Sequence, residues 1–129
     1  MKISLRSEYA LLSLINIARQ SDTANISASI GNSHQIPQET LDEILTVLIN
    51  ARYLRLKKGN CHLAKPAKKI SVAEVIRLFD GALAPLEPVS EKGYQPAPME
   101  EEEKLVGLFG QLQEQIMDKL ENTTLADLI

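Results

Sequence analysis

Apolar residues in the first half of the chain recur at intervals of three and four, the spacing of amphipathic helices. The first such segment spans residues 4–20, and Ser4 is its expected N-cap. Its predicted buried face consists of Leu11, Leu14, Ile15 and Ala18. A polar turn follows, and Ser27 then precedes a short second helix that we predict over residues 28–34.

The next helix is predicted over residues 37–51, because proline disfavours helical geometry before it and suits the first helical position. Its predicted buried stripe consists of Leu41, Ile44, Leu45 and Leu48. Two short helices joined by a tight turn, behind a longer supporting helix, predict a tri-helical helix–turn–helix.

Helical spacing gives way to alternation at residues 53–56, which predicts a β-strand. Residues 57–60 include Gly59 and have the composition of a turn, and residues 61–64 return as a second strand. The sequence therefore predicts a β-hairpin directly after the helix, in the position of a wing.

Ser71 and Glu74 have the spacing of a capping box, ahead of a short helix that Gly81 ends. One face of this helix is predicted to carry Val72, Val75, Ile76 and Phe79. Residues 84–98 contain four of the six prolines, which predicts an extended linker loop.

A long helix is predicted from about Met99, with acidic residues 100–103 where the helix dipole favours negative charge. Its apolar stripe consists of Leu105, Leu108, Phe109, Leu112, Ile116 and Leu120. The stripe either docks on the chain's own helices or pairs with the same helix of a second chain. We favour the second interpretation, because symmetric dimers are the commonest oligomers. Thr124 opens a last capped turn.

The predicted fold class is thus mainly α with a small β-hairpin wing. A winged helix–turn–helix is expected over residues 1–83, a proline-rich linker over 84–98, and a dimerisation helix with its capped turn over 99–129.

Charge is distributed unevenly between the two parts of the chain. Residues 1–69 hold ten Lys and Arg against five Asp and Glu, a net charge of +5. Residues 70–129 hold four against twelve, a net charge of −8. This asymmetry has two explanations: the first part faces phosphate, or the solvated charges are split by chance.

Composition argues against several other classes of protein. The apolar content of 44% is that of a globular domain, no apolar run is long enough to span a membrane, and the start of the chain does not resemble a signal peptide. A single cysteine excludes an internal disulfide and suggests the reducing cytoplasm. The two histidines lie in different elements and no nucleophilic arrangement or phosphate loop is present, so we do not expect an enzyme.

The start of the helix at 37–51 carries groups suited to reading base edges. Gln38 can pair with adenine, Thr40 can contact a thymine methyl or a phosphate, and Asp42 can accept from cytosine. The neighbouring acids Glu39 and Glu43 should point away from phosphates or be offset by other groups. Contacts that position the protein on DNA are expected from Lys2, Arg6, Arg55, Lys57, Lys58 and Asn60. For each of these groups the alternative is an ordinary solvated surface.

The order and spacing of these motifs resemble the bacterial iron–sulfur-cluster- and nitric-oxide-responsive winged-helix regulators of the IscR/NsrR/CymR type. The resemblance covers nearly the whole chain. It rests on Lys2-Ile3-Ser4, Glu8-Tyr9-Ala10-Leu11, Ile36-Pro37 with Leu41, Leu45 and Leu48, Leu63-Ala64-Lys65-Pro66, Ile70-Ser71, Glu74-Val75-Ile76 and Thr124-Leu125-Ala126-Asp127-Leu128. It implies a homodimer held by the long helix, with the helices at 37–51 in successive major grooves and the wings at the minor groove of a partly palindromic operator. The wing here is shorter and poorer in glycine than is usual for the family.

The resemblance also raises the question of an iron–sulfur cluster. Many members hold one through three cysteines before the long helix, but residues 91–103 contain none, so we expect no cofactor and no metal. Some relatives recruit a carboxylate from the first helix or a histidine from the second, and Glu8 and His34 occupy such places. Cys61, near Lys57 and Lys58, is either an oxidation-sensing thiol of low pKa or simply a half-buried strand residue.

These observations predict a dimeric, sequence-specific DNA-binding transcriptional regulator whose effector is unknown. Two alternatives stay open at this point. One is a winged-helix protein-interaction module that does not bind DNA, suggested by the acidic residues and the reduced wing. The other is an iron–sulfur redox-sensing regulator with ligands other than cysteine.

Overall fold

A computed structural model of the protein describes residues 3–20, 35–81 and 102–129. The helices are α1 (Leu5–Arg19), α2 (Gln38–Asn50), α3 (Val72–Asp80) and α4 (Glu103–Asn122), and the antiparallel strands are β1 (Leu54–Lys57) and β2 (Asn60–Leu63). Short 3-10 turns cover Ala67–Lys69 and Leu125–Asp127. The predicted helix at 28–34 and linker at 84–98 lie outside the described residues. This mainly helical fold with a hairpin confirms the predicted fold class.

Helix α1 begins where the sequence predicts, but a different face is buried. The Ser4 hydroxyl accepts the backbone N–H of Ser7 at 3.1 Å, which confirms the N-cap. The buried residues are Ser7, Ala10, Ser13, Leu14 and Ile17. Leu14 alone was predicted correctly, whereas Leu11, Ile15 and Ala18 are half-buried. The face is shifted because two serines lie in the core, and Ser13 meets its hydrogen-bonding need by donating to the Tyr9 carbonyl at 2.7 Å.

Helix α2 buries the stripe that its spacing predicts. The buried residues are Leu41, Ile44, Leu45 and Leu48, and they form the centre of the core with Leu14 and Leu54. At the C-terminal end, Arg52 N–H donates to the Ile49 carbonyl at 3.0 Å and Tyr53 N–H donates to the Leu48 carbonyl at 2.9 Å. This is the hydrogen-bond pattern of a Schellman motif, and Arg52 occupies its left-handed position with φ 66°.

The hairpin has a two-residue turn. Lys57 pairs with Asn60, and both residues between them have positive φ, 53° at Lys58 and 79° at Gly59. Positive φ at both positions is the type I′ geometry, whose twist matches that of the strands. One hairpin face carries the pairs Leu54–Leu63 and Leu56–Cys61, and the other carries Arg55–His62 and Lys57–Asn60.

Helix α3 confirms the predicted capping box. The Ser71 hydroxyl accepts the N–H of Glu74 at 3.2 Å, and the Glu74 carboxylate accepts the N–H of Ser71 at 2.8 Å. Gly81 closes the helix with φ 81°. Val72, Val75 and Ile76 are buried as predicted, and Phe79 is half-buried against the core.

Helix α4 begins at Glu103 rather than at Met99, and Glu102 before it has extended backbone geometry. The helix packs on α3, where Arg77 and Glu121 form an ion pair. The chain then returns to the start of α3: Val72 N–H donates to the Thr123 carbonyl at 2.9 Å, and Leu125 N–H donates to the Ile70 carbonyl at 3.0 Å.

The last capped turn is confirmed and belongs to the core. Thr124 and Asp127 form a second capping box, and Leu125 is fully buried. The Arg19 guanidinium also donates to the Leu128 carbonyl at 3.2 Å, which fastens the chain end to α1. None of the helices within residues 3–20, 35–81 and 102–129 has the length and apolar character needed to cross a bilayer.

Candidate nucleic-acid interface

The outer face of α2 lies open to solvent. Gln38, Asp42 and Thr46 are exposed and follow one another at intervals of four, so they lie along one side of the helix. The Gln38 amide donates to the Asp42 carboxylate at 2.8 Å, and the Thr46 hydroxyl donates to the Asp42 carbonyl at 2.8 Å. Thr40 is half-buried and turned further toward the core. The hydrogen bond between Gln38 and Asp42 holds these two polar side chains next to each other on the exposed side of α2.

The polar face of the hairpin is cationic, and strand β1, which carries part of it, contacts α2. Arg55 and Lys57 project from β1 on the same side, with His62 and Asn60 as their cross-strand partners. Lys58 lies at the tip of the turn. Arg55, Lys57 and Lys58 are exposed, so this face offers mobile cations rather than a fixed ion-pair network.

Arg6 connects α1 to the acidic side of α2. Together with Glu39, Asp42 and Glu43 it lines an open groove between the two helices. Its guanidinium also lies 5.5 Å from the centre of the Phe79 ring, a cation–π contact. Arg6 thus supplies positive charge beside Glu39 and Glu43, as the sequence required for a helix close to phosphates. Lys2 lies outside the described residues.

The start of α1 is held by Asp80 at the end of α3. The Asp80 carboxylate accepts the backbone N–H of Ser4 at 3.1 Å. Partial burial acts to raise the pKa of Asp80, but hydrogen bonding from Ser4 and the charge of Arg6 help to outweigh it, and the pKa falls below its ordinary value. This contact fixes the helix end that carries Arg6.

Two groups missed by the sequence analysis lie at the base of the hairpin. Arg52 and Lys65 join Arg55 around a groove, and the Lys65 ammonium lies 4.6 Å from the centre of the Tyr53 ring. The available signal was a pair of cations flanking the predicted strands. Arg52 stands in no motif, and Lys65 entered the sequence analysis only through the family resemblance, so pattern alone gave neither residue a role in binding.

Among residues 3–20, 35–81 and 102–129, the contacts to the apolar stripe of α4 leave it only partly covered. No residue of this helix is buried, and Leu105, Leu108 and Leu112 expose 39%, 51% and 39% of their surface. Phe109, Ile116 and Leu120 are half-buried and continue the stripe toward α3. Six large apolar side chains on a single helix face therefore leave a large area in contact with water.

Of the three candidate sensing residues, the structure describes Glu8 and Cys61. Glu8 is exposed in the first turn of α1, and His34 lies outside the described residues. Cys61 is only 8% exposed, on the apolar face of the hairpin, and its burial raises the pKa of the thiol. This is opposite to the low pKa that oxidation sensing requires. No group of three or more histidine, cysteine or acidic residues with metal-binding geometry occurs in the part of the chain that the structure describes.

Comparison with known proteins identifies the same architecture. A protein of Mycobacterium tuberculosis strain H37Rv, described as the HTH-type transcriptional regulator Rv1287, is 32% identical over 133 residues, which cover 99% of this chain and 81% of the relative. CymR of B. subtilis, described as its global cysteine regulator, superposes with a TM-score of 0.80 at 23% identity over 99% of this chain and 95% of its own. Oxidized CymR of Staphylococcus aureus gives a TM-score of 0.74 at 26% identity, again over 99% and 95%.

Nearly the whole chain matches one family model. Residues 3–129 match Rrf2, described as an iron-dependent transcriptional regulator. The exposed helix and cationic hairpin fit such a protein, and its relatives are regulators rather than enzymes. The chain therefore belongs to the Rrf2 family and is a DNA-binding transcriptional regulator.

Proposed function

We propose that the protein acts in the cytoplasm as a homodimer that binds a partly palindromic operator. The observation that carries this proposal is the exposure of three surfaces on one chain: the polar side of α2, the cationic hairpin and the apolar stripe of α4. Two of these surfaces suit DNA and the third suits a second subunit. A two-fold axis through the α4 helices would present both copies of α2 to one duplex.

Each α2 helix is proposed to enter a major groove with its N-terminal end. Gln38 and Asp42 are exposed there, and their mutual hydrogen bond limits how they turn toward the bases. A bidentate amide contact with adenine discriminates between bases, whereas the cations of the hairpin contact phosphates of any sequence. Lys57, Lys58 and Arg55 therefore supply affinity, and the α2 face supplies specificity.

Dimerisation is proposed to cover the stripe of α4. In the described part of the chain α4 packs mainly on α3, on the side where Arg77 meets Glu121, and the exposed leucines are proposed to contact a partner. Leu112 and Ile116 line an open apolar groove on this helix. Apolar side chains of α4 from a second copy can fill this groove. In an isologous interface the same surface of both subunits is buried, so each leucine contributes two copies to the buried area.

The regulator is further proposed to work without an iron–sulfur cluster, although its family is described as iron-dependent. Such clusters are held mainly by thiolates, and the single cysteine of the chain, Cys61, is buried in the hairpin. A single buried cysteine does not fit a cluster held by thiolates. The signal that this regulator detects is then of a different chemistry.

Titration of fluorescein-labelled duplexes with the protein tests DNA binding, using the region upstream of its own gene and a scrambled duplex of equal length. Fluorescence anisotropy at several salt concentrations should give a log–log slope of about −0.9 for every phosphate contacted. The double substitution Lys57→Ala, Lys58→Ala should reduce the magnitude of that slope by about 1.8 per half-site. This double substitution should weaken binding to both duplexes by the same factor.

Gln38→Ala should instead reduce the preference for the upstream duplex and leave binding to the scrambled duplex unchanged. Lys104→Ala is the matched control for the two lysine substitutions in the hairpin, because it removes an exposed cation from α4 instead. Absence of binding to both duplexes at low salt would refute the proposed docking.

A further inference from the structure

We propose a second phosphate-binding site at the base of the hairpin, formed by Arg52, Arg55 and Lys65, which clamps the DNA backbone between the two grooves. The proposal rests on the docking of α2 and the hairpin described above and adds a contact to it. Its ligand is the phosphodiester backbone of duplex DNA, without regard to base sequence.

All three cations are among the residues that line one open groove at the base of the hairpin. The apolar part of the lining comes from Ile49 at the end of α2 and from Leu54 and Leu56 of β1. Arg52, Arg55 and Lys65 are exposed around it, and no ion pair joins them to a carboxylate among the described residues. None of the described residues that line the groove is acidic, so their charge favours a polyanion.

The position of the groove matches the path of a DNA strand. Ile49 lies eleven residues after Gln38, close to three turns of helix, so the groove continues the side of α2 that carries Gln38 and Asp42. With α2 in a major groove and the hairpin tip at the adjacent minor groove, the strand that separates the two grooves must pass between helix and hairpin. That passage is where Arg52, Arg55 and Lys65 lie.

The backbone of Arg52 gives an independent reason to assign it a role. The left-handed position that ends a helix favours glycine, because a side chain there costs free energy. Arg52 occupies it with φ 66°, and its side chain is exposed. Unfavourable backbone geometry of this kind is concentrated at functional sites.

Lys65 is held in position for the same purpose. The backbone N–H of Ala64 donates to the Tyr53 carbonyl at 2.9 Å, so residues 64 and 65 remain next to the end of α2. The ring of Tyr53 then supports the Lys65 ammonium at 4.6 Å. A cation with restricted freedom loses less entropy when it binds a phosphate.

The test compares Arg52→Gly and Arg52→Asn with the unmodified protein by anisotropy on the upstream and scrambled duplexes. Both replacements are neutral and both accept the left-handed conformation. We expect affinity for the two duplexes to fall alike by about 3- to 10-fold, and the salt slope to lose about 0.9 per half-site. The melting temperature of Arg52→Gly should be unchanged or higher, because backbone strain is removed. Arg52→Lys should retain the slope, and Lys104→Ala should behave as the unmodified protein.

The outcomes separate this site from the docking on which it rests. If the unmodified protein binds DNA and both neutral variants bind it with the same affinity and slope, the second phosphate site is wrong and the docking stands. If the unmodified protein binds neither duplex, both proposals fall. Loss of preference for the upstream duplex in the neutral variants, with the salt slope intact, would also overturn a phosphate contact at Arg52.

Discussion

The exposed stripe of α4 makes a quantitative prediction about the substitution Leu108→Glu. Leu108 exposes 51% of its surface in the single subunit. Full burial of a leucine is worth about 1.5–3 kcal/mol, so covering the remaining half contributes about 0.8–1.5 kcal/mol per subunit. A two-fold interface contains this residue twice, which gives about 1.5–3 kcal/mol per dimer. Loss of that area alone should weaken dimerisation by about 10- to 100-fold.

The glutamate adds an electrostatic cost to the lost area. A carboxylate placed in the interface has to give up its hydration, and its copy in the partner repels it across the two-fold axis. We therefore expect the apolar estimate to be a lower bound on the change in the dissociation constant. The fold of each subunit should be little affected, because Leu108 is not part of the core.

Sedimentation equilibrium over a wide concentration range measures the effect, with circular dichroism as the check on helical content. Gln111→Glu is the matched control: it adds the same charge to an exposed position of α4 that flanks the apolar stripe without belonging to it. It should sediment as the unmodified protein. If Leu108→Glu formed dimers as tight as those of the control, the assignment of this stripe to the subunit interface would be refuted.

Three further predictions concern the stability and reactivity of the described elements. Ser71→Ala removes the reciprocal capping pair with Glu74 and should destabilise the protein by about 0.5–2 kcal/mol in a urea titration, with an unchanged value contradicting a stabilising role for the cap. The pKa of Asp80 is lowered in the fold, so its contribution is complete above the ordinary aspartate pKa and is lost as the pH falls through the lower folded value. Asp80→Asn should therefore melt below the unmodified protein at neutral pH, and this difference should close on acidification; a constant difference would exclude the linkage. Burial raises the pKa of the Cys61 thiol, so its alkylation by iodoacetamide near neutral pH should be slower in the folded protein than in urea, and faster reaction of the folded form would restore the sensing hypothesis.

The elements with one dominant signal were predictable from the sequence. Leu41, Ile44, Leu45 and Leu48 are all buried, because large aliphatic residues at helical spacing leave only one face to choose. The Ser71 capping box and the turn at Gly59 are local chemistry that needs little tertiary information.

Helix α1 shows why the remainder could not be predicted. Its apolar residues allow more than one face, and the face that is buried includes Ser7 and Ser13, which a search for large apolar residues passes over. Small side chains are accommodated where helices approach closely, and that depends on neighbours far away in the sequence. Arg52 was missed for a related reason. A residue with left-handed backbone geometry at the end of a helix is recognised in a sequence when it is Gly or Asn, and here it is an arginine.

The return of the chain after α4 has a consequence for the operator. Thr123 and Leu125 are hydrogen-bonded to Val72 and Ile70, and Leu125 is sealed in the core, so the proposed dimerisation helix has no hinge at this end. In the proposed dimer, the two α2 helices would therefore be held at one fixed separation. The two half-sites should accordingly lie a fixed number of base pairs apart. Insertion or removal of a few base pairs at the centre of the operator should prevent one of the two subunits from binding its half-site.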